Sequence, residues 1–110
     1  MRQAYVLAIT NLRAGVGKTS LTLSLGTTLA ERGQRVLLVD LDPQASLTVA
    51  CGVEDAADAN LSQVIGNTIP GRVPLWDILK EIVPGNYIFL APSDISLAHS
   101  EYCFSARIAR

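Results

Sequence analysis

The chain has 110 residues, 49% of them hydrophobic and 17% charged, with a formal net charge of -1 at pH 7. A chain of this length is one domain able to bury about two-thirds of its unfolded surface. Its near-balanced charge excludes the bulk basic signature of a nucleic-acid or anionic-membrane binder, its apolar runs are too short to span a bilayer, and Met1-Arg2 opens no signal peptide, so a soluble, cytoplasmic protein is expected.

The first element is an apolar run, Ala4-Tyr5-Val6-Leu7-Ala8-Ile9, expected to form a buried strand. It leads into Thr10-Asn11-Leu12-Arg13-Ala14-Gly15-Val16-Gly17-Lys18-Thr19-Ser20. A glycine-rich turn entering a helix aims several backbone N–H groups at one point, and the helix dipole adds partial positive charge there. A Lys followed by Thr completes a phosphate and Mg²⁺ site. The full phosphate-loop pattern asks for Gly where Leu12 stands, so only Gly15-Val16-Gly17-Lys18-Thr19 keeps it strictly. The strand before it and the recurrence of Leu21, Leu25 and Leu29 after it supply the strand-loop-helix setting that nucleoside triphosphate binding requires. The helix begins near Lys18 and stops before Gly33, a C′ glycine after Glu31 and Arg32.

A second strand is expected from Arg35 to Leu41, ending in Asp40-Leu41-Asp42-Pro43-Gln44. Two carboxylates thus fall at the carboxyl end of a strand, where open α/β sheets bind ligands. Alone, this stretch reads as an Asp-Pro turn; paired with the upstream loop it reads as part of the same site. Residues 45–50 form a short helix or a switch-like loop beside the nucleotide, and Gly52 to Ala59 a surface loop. Asn60 with Gln63 makes a capping box that opens a short helix through Leu61, Val64 and Ile65, ending at Gly66.

Pro74 suits the first position of a helix, and Leu75, Ile78, Leu79 and Ile82 follow at amphipathic spacing before Pro84-Gly85 stops it. Trp76 lies beside that stripe and is expected at the edge of the core rather than against a partner or a base. Asn86 to Ala91 is the third strand, and Asp94 caps a last helix running toward Arg110. Cys51, Cys103 and the one histidine, His99, lack zinc-ligand spacing, so both thiols are read as structural.

Together, Asn11 to Ser20 and Val36 to Gln44 resemble the ParA/Soj group of deviant phosphate-loop ATPases, whose relatives include MinD and the nitrogenase iron protein. In that group the loop reads Lys-Gly-Gly-Val-Gly-Lys-Thr and the second strand ends in Asp-x-Asp-Pro-Gln, which favours the ParA side over MinD. Tyr87 to Ser93 and Leu97 to Glu101 are similar to the family's next strand and helix, while Cys51 to Gly85 diverges.

The resemblance implies a P-loop three-layer α/β/α fold with a parallel sheet, binding ATP and Mg²⁺. By resemblance Lys18 contacts the β- and γ-phosphates, Thr19 ligates Mg²⁺, Asp40 supports the metal's water shell and Asp42 orients the attacking water. Ala14, Gly15, Val16, Gly17 and Ser20 line the phosphates. Arg13 stands where the family places a lysine that reaches the partner's phosphate across a dimer. Arg keeps the charge, yet its planar fork does not reproduce an ammonium's placement. Ala14 replaces a glycine, at a cost of about 1–2 kcal/mol if that position needs φ > 0.

The family's metal-holding strand, base-recognition segments and basic DNA-binding surface have no counterpart after Ala91, so residues 1–110 are read as one incomplete P-loop domain, roughly the N-terminal half. The implied function is a ParA-like ATPase in plasmid or chromosome partitioning, dimerising on ATP and stimulated by a partition partner protein. The alternatives are a nucleotide-binding remnant without hydrolysis that docks on a full-length relative, and a non-functional gene fragment.

Overall fold

The computed structural model describes residues 3–10, 17–56, 59–65 and 73–96. Helix α1 (Lys18–Glu31) starts from Gly17, whose φ of 84° lies in the left-handed region. It ends as the sequence predicts: the N–H of Gly33, at φ +85°, bonds to the carbonyl of Ala30 and that of Gln34 to the carbonyl of Leu29. This is the Schellman pattern, which satisfies carbonyls the helix itself leaves open.

Three short strands form one sheet in the order β1-β3-β2: β1 (Val36–Val39), β2 (Lys80–Val83) and β3 (Ile88–Ala91). β1 and β3 are parallel, with Leu38 opposite Leu90; β2 is antiparallel to β3. The central strand is almost wholly buried at Ile88, Leu90 and Ala91, as expected of an apolar strand with neighbours on both sides.

Side chains alternate across a strand, and two core clusters follow from that. Leu38, Ile88 and Leu90 face α1 and are joined by Leu47 of helix α2 (Ser46–Ala50), with Leu23 and Ala30 packed against them. Ala91 faces the other way and packs with Leu61 of helix α3 (Leu61–Ile65) and Ile78. Helical segments thus cover both faces, in keeping with the α/β/α class.

The structure corrects four expectations. Residues 3–10 form no strand, and Tyr5 and Val6 are 94% and 90% exposed. A continuous apolar run forms a buried strand only with ladder partners and cover on both faces, and the described residues provide neither. The predicted helix after Pro74 is a single 3₁₀ turn, Leu75–Asp77, followed by β2. There Pro84-Gly85 is the turn of a hairpin with β3, and cross-strand pairing overrides the helical spacing. Trp76, on that 3₁₀ turn, is 75% exposed rather than at the core edge. Finally, the sheet is mixed rather than parallel, because the hairpin returns β2 antiparallel to β3. On α1 the residues against the core are Leu23, Gly26 and Ala30, and Leu21 is exposed.

The capping box at Asn60 is present. Asn60 Oδ1 accepts from the N–H of Ser62 at 2.9 Å, and Gln63 Oε1 accepts from the N–H of Asn60 at 3.2 Å. Asp94 accepts from the N–H and hydroxyl of Ser96 at its predicted capping position; the helix expected beyond it lies outside the described residues. No helix among the described residues is long and apolar enough to cross a membrane.

Candidate nucleotide-binding site

Position follows from topology. α1 and β1 are joined by residues 32–35 alone and pack together, so they run antiparallel and the start of α1 lies on the same side as the end of β1. Gly26 sits on Leu38. Lys18 is eight residues back toward the start of the helix, about 12 Å at 1.5 Å per residue, and the loop carrying Asp40 and Asp42 follows directly on the end of β1 at Val39. The helix N-terminus and the carboxylate loop therefore lie at the same end of the sheet.

At that end α1 offers an open N-terminus. The N–H of Leu21 bonds to the carbonyl of Gly17 at 2.8 Å, and among the described residues no side chain caps the turn from Gly17. The N–H groups of Lys18, Thr19 and Ser20 precede the first intrahelical bond and are the orphan donors that anions use. Lys18 and Thr19 are half-buried and Ser20 is exposed. Among the described residues, nothing lies within 4 Å of a Cβ built on Gly17. Arg13, Ala14, Gly15 and Val16 lie outside the described residues.

The carboxylate loop is tied down from within. Asp40, 4% exposed, accepts at Oδ2 from the N–H of Thr48 at 3.0 Å and from its hydroxyl at 2.7 Å, and at Oδ1 from the N–H of Asp42 at 3.1 Å. A carboxylate has about four acceptor directions, and the described residues take three of them. Asp42 is half-buried; its Oδ1 accepts from the N–H of Gln44 at 2.9 Å and its carbonyl accepts from the hydroxyl of Ser93. The N–H of Ser93 in turn donates to Thr48 Oγ1 at 2.9 Å.

Ala45, the residue before α2, has φ 57°, a left-handed conformation that a side chain disfavours. Its N–H bonds to the carbonyl of Asp42 at 2.8 Å. Cys51, at the other end of α2, is half-buried against the core; burial first, and then the negative charge of Asp40, push its thiol pKa up.

The structure thus brings Lys18, Thr19, Asp40 and Asp42 to one end of the sheet. Thr48 is the residue that sequence reasoning passed over, because a threonine inside a five-residue helix carries no pattern of its own. Ser93 was visible only as part of the stretch after the third strand. Among the described residues, no group of three or more His, Cys, Asp or Glu side chains is placed to hold a metal by itself. An oxygen set of Thr19, one Asp40 direction, phosphate and water suits Mg²⁺, which keeps most of its waters.

Comparison with known proteins identifies the family. The AAA domain family matches residues 4–110. The sporulation initiation inhibitor protein Soj of Bacillus subtilis is 37% identical over 105 residues, covering 96% of this chain and 40% of the relative. The chromosome partitioning protein ParA of Caulobacter vibrioides is 36% identical over 103 residues, covering 93% of this chain and 38% of the relative. The crystal structure of cobyrinic acid a,c-diamide synthase from Mycobacterium smegmatis, with bound ATP analog and magnesium, superposes with a TM-score of 0.72 at 36% identity, covering 84% of this chain and 36% of that one. This chain accordingly spans about two-fifths of the length of these relatives. It belongs to the AAA domain family, and its similarity to Soj and ParA extends over nearly the whole of this chain.

Proposed function

We propose that this chain binds ATP with Mg²⁺ between the N-terminus of α1 and the loop Asp40–Gln44, as the nucleotide-binding part of a cytoplasmic ParA-type ATPase that serves plasmid or chromosome partitioning. The observation that carries the reading is the first turn of α1, which no described side chain caps, with Lys18 and Thr19 on it at the same end of the sheet as the loop Asp40–Gln44. Lys18 pairs its ammonium with the β- and γ-phosphate oxygens, and the N–H groups of Gly15 to Ser20 line the phosphates. Thr19 supplies a hydroxyl ligand to Mg²⁺, and Asp40 holds one of the metal's waters. Bound Mg²⁺ neutralises phosphate charge. Asp42 orients the water for in-line attack, and Arg13 faces the phosphate of a second subunit in a nucleotide-bridged dimer. A partition partner protein and DNA are engaged by the assembled protein.

A second reading, nucleotide binding without hydrolysis, is favoured by one observation: Asp40 and Asp42 both spend carboxylate oxygens on hydrogen bonds within the chain. Titration of a fluorescent ATP analogue with Mg²⁺ tests the shared core of both readings. Lys18→Ala is expected to weaken binding at least tenfold, or about 1.4 kcal/mol. Equal affinity of the two proteins would sink the site. Phosphate release that disappears in Asp42→Ala selects the hydrolytic reading; no release from the unsubstituted chain selects the other.

A further inference from the structure

We infer that Thr48 and Ser93 are positioning residues: their hydroxyls form a buried link that fixes both peptide groups of Asp42, and so places its carboxylate at the nucleotide end of α1. The inference rests on the role given to Asp42 above.

The polarity of the link is set by chemistry. An ionised carboxylate only accepts and a backbone N–H only donates, so the Thr48 hydroxyl gives its proton to Asp40 Oδ2 at 2.7 Å and takes the Ser93 N–H on a lone pair at 2.9 Å. The Ser93 hydroxyl has to donate to the Asp42 carbonyl. On its other side, the Asp42 N–H is held by Asp40 Oδ1 at 3.1 Å. The main chain of Asp42 is therefore pinned before and after its Cα, from β1 by Asp40 and from the end of β3 by Ser93. Thr48 joins the two anchors.

Burial makes the link matter. Thr48 and Ser93 are each 1% exposed and Asp40 is 4% exposed, so water does not replace a lost partner there. Valine has the shape of threonine and neither donates nor accepts. Thr48→Val would leave the Ser93 N–H and an Asp40 lone pair buried without partners, freeing the loop that carries Asp42. The left-handed Ala45, held by the Asp42 carbonyl, would then be released as well.

The test uses the full chain with Thr48→Val, Thr48→Ser and Ser93→Ala, each titrated with ATP in Mg²⁺ and again in EDTA. Phosphate contacts from Lys18 and the α1 N-terminus need no carboxylate, whereas metal support needs Asp40 and its loop in place. Thr48→Val and Ser93→Ala are expected to weaken binding about tenfold in Mg²⁺, with affinity in EDTA unchanged. Thr48→Ser, which keeps the hydroxyl, is expected to bind as the unsubstituted chain does in both media. Equal loss in both media, or none, would overturn the inference.

Hydrogen exchange separates failure of the inference from failure of the nucleotide reading. If the unsubstituted chain binds no ATP, the nucleotide reading falls, and the link is judged by the Asp42 and Ser93 amides. These should exchange about tenfold faster in Thr48→Val, with α1 protection retained; unchanged exchange at Asp42 overturns the link itself. Should Thr48→Val fail to fold, Ser93→Ala carries the same two readouts.

Discussion

Gly26 of α1 lies against Leu38 of β1 so closely that a Cβ on Gly26 would stand 2.7 Å from Leu38 Cδ2. This contact sets how near the helix lies to the sheet, and so how near the start of α1 lies to the loop that follows β1. The two effects of adding a methyl oppose each other. Alanine raises helix propensity by about 1 kcal/mol over glycine, while displacing the buried Leu38 side chain costs a similar amount. Gly26→Ala should therefore change stability little, and Gly26→Val, with two more methyls and a stiffer side chain, should destabilise by about 1–3 kcal/mol. Urea unfolding measures both; equal midpoints for Gly26→Val and the unsubstituted chain would refute the close approach.

Asn60 is 1% exposed and uses both ends of its amide, with Oδ1 on the N–H of Ser62 and Nδ2 on the carbonyl of Ala56. Asn60→Ala removes a helix cap worth about 1 kcal/mol and also leaves the buried Ala56 carbonyl without this donor. Asn60→Asp keeps the capping oxygen and loses the donor. The expected order of stability is Asn60, then Asn60→Asp, then Asn60→Ala. Thermal unfolding at neutral pH reads it, and equal melting of Asn60→Ala and the unsubstituted chain would remove the cap from the account.

What could be read from the sequence divides along physical lines. Gly33 and Asn60 with Gln63 were legible because caps are local: the residues that make the bonds lie within a few positions of one another. Asp40 and Asp42 were legible as a pair at the carboxyl end of a strand because an aliphatic run precedes them. The stretch from Leu75 to Ile82 was misread because its spacing fits a helix, and only the non-local pairing of Lys80–Val83 with β3 decides against one. Gly26 gave no sign that it lies on the helix face against the sheet. Thr48 was invisible for the same reason: its partner Ser93 is 45 residues away.

Trp76 is the chain's one tryptophan and stands 75% exposed on the 3₁₀ turn before β2. Its fluorescence should match that of a water-exposed indole, with acrylamide quenching near that of free tryptophan. Weak quenching in the monomeric chain would show the ring covered, and would return it to the core edge.

Lys80 Nζ lies 3.0 Å from Asp55 Oδ2, and this hydrogen bond, followed by the lysine's charge, holds the Asp55 carboxyl below its ordinary range. A lowered folded-state pKa stabilises the fold above the unfolded value, near pH 4, and that contribution fades as pH falls through the folded value. The side chain of Asp55 is largely exposed, so the effect is small and screened by salt. Carboxyl NMR titration should show Asp55 moving back toward the ordinary aspartate value in Lys80→Ala. An unchanged midpoint would dissolve the pair in solution.

Cys51 offers the opposite sign. Burial and the Asp40 charge raise its thiol pKa above 9.0, so the folded state holds the proton more tightly than the unfolded chain. The resulting stabilisation is fully present below the unfolded pKa and is lost as pH rises through the folded one. Since the thiolate is the nucleophile, Cys51 in a Cys103→Ser background should react with iodoacetamide more slowly than in urea-unfolded chain at pH 8. The difference should narrow as pH climbs past the folded pKa, because the thiolate fraction then approaches one in both states and only steric shielding remains. Alkylation at pH 8 as fast in the folded as in the unfolded chain would place Cys51 in water, away from Leu38 and Leu47, and would loosen the packing of α2 on which the Thr48 link depends.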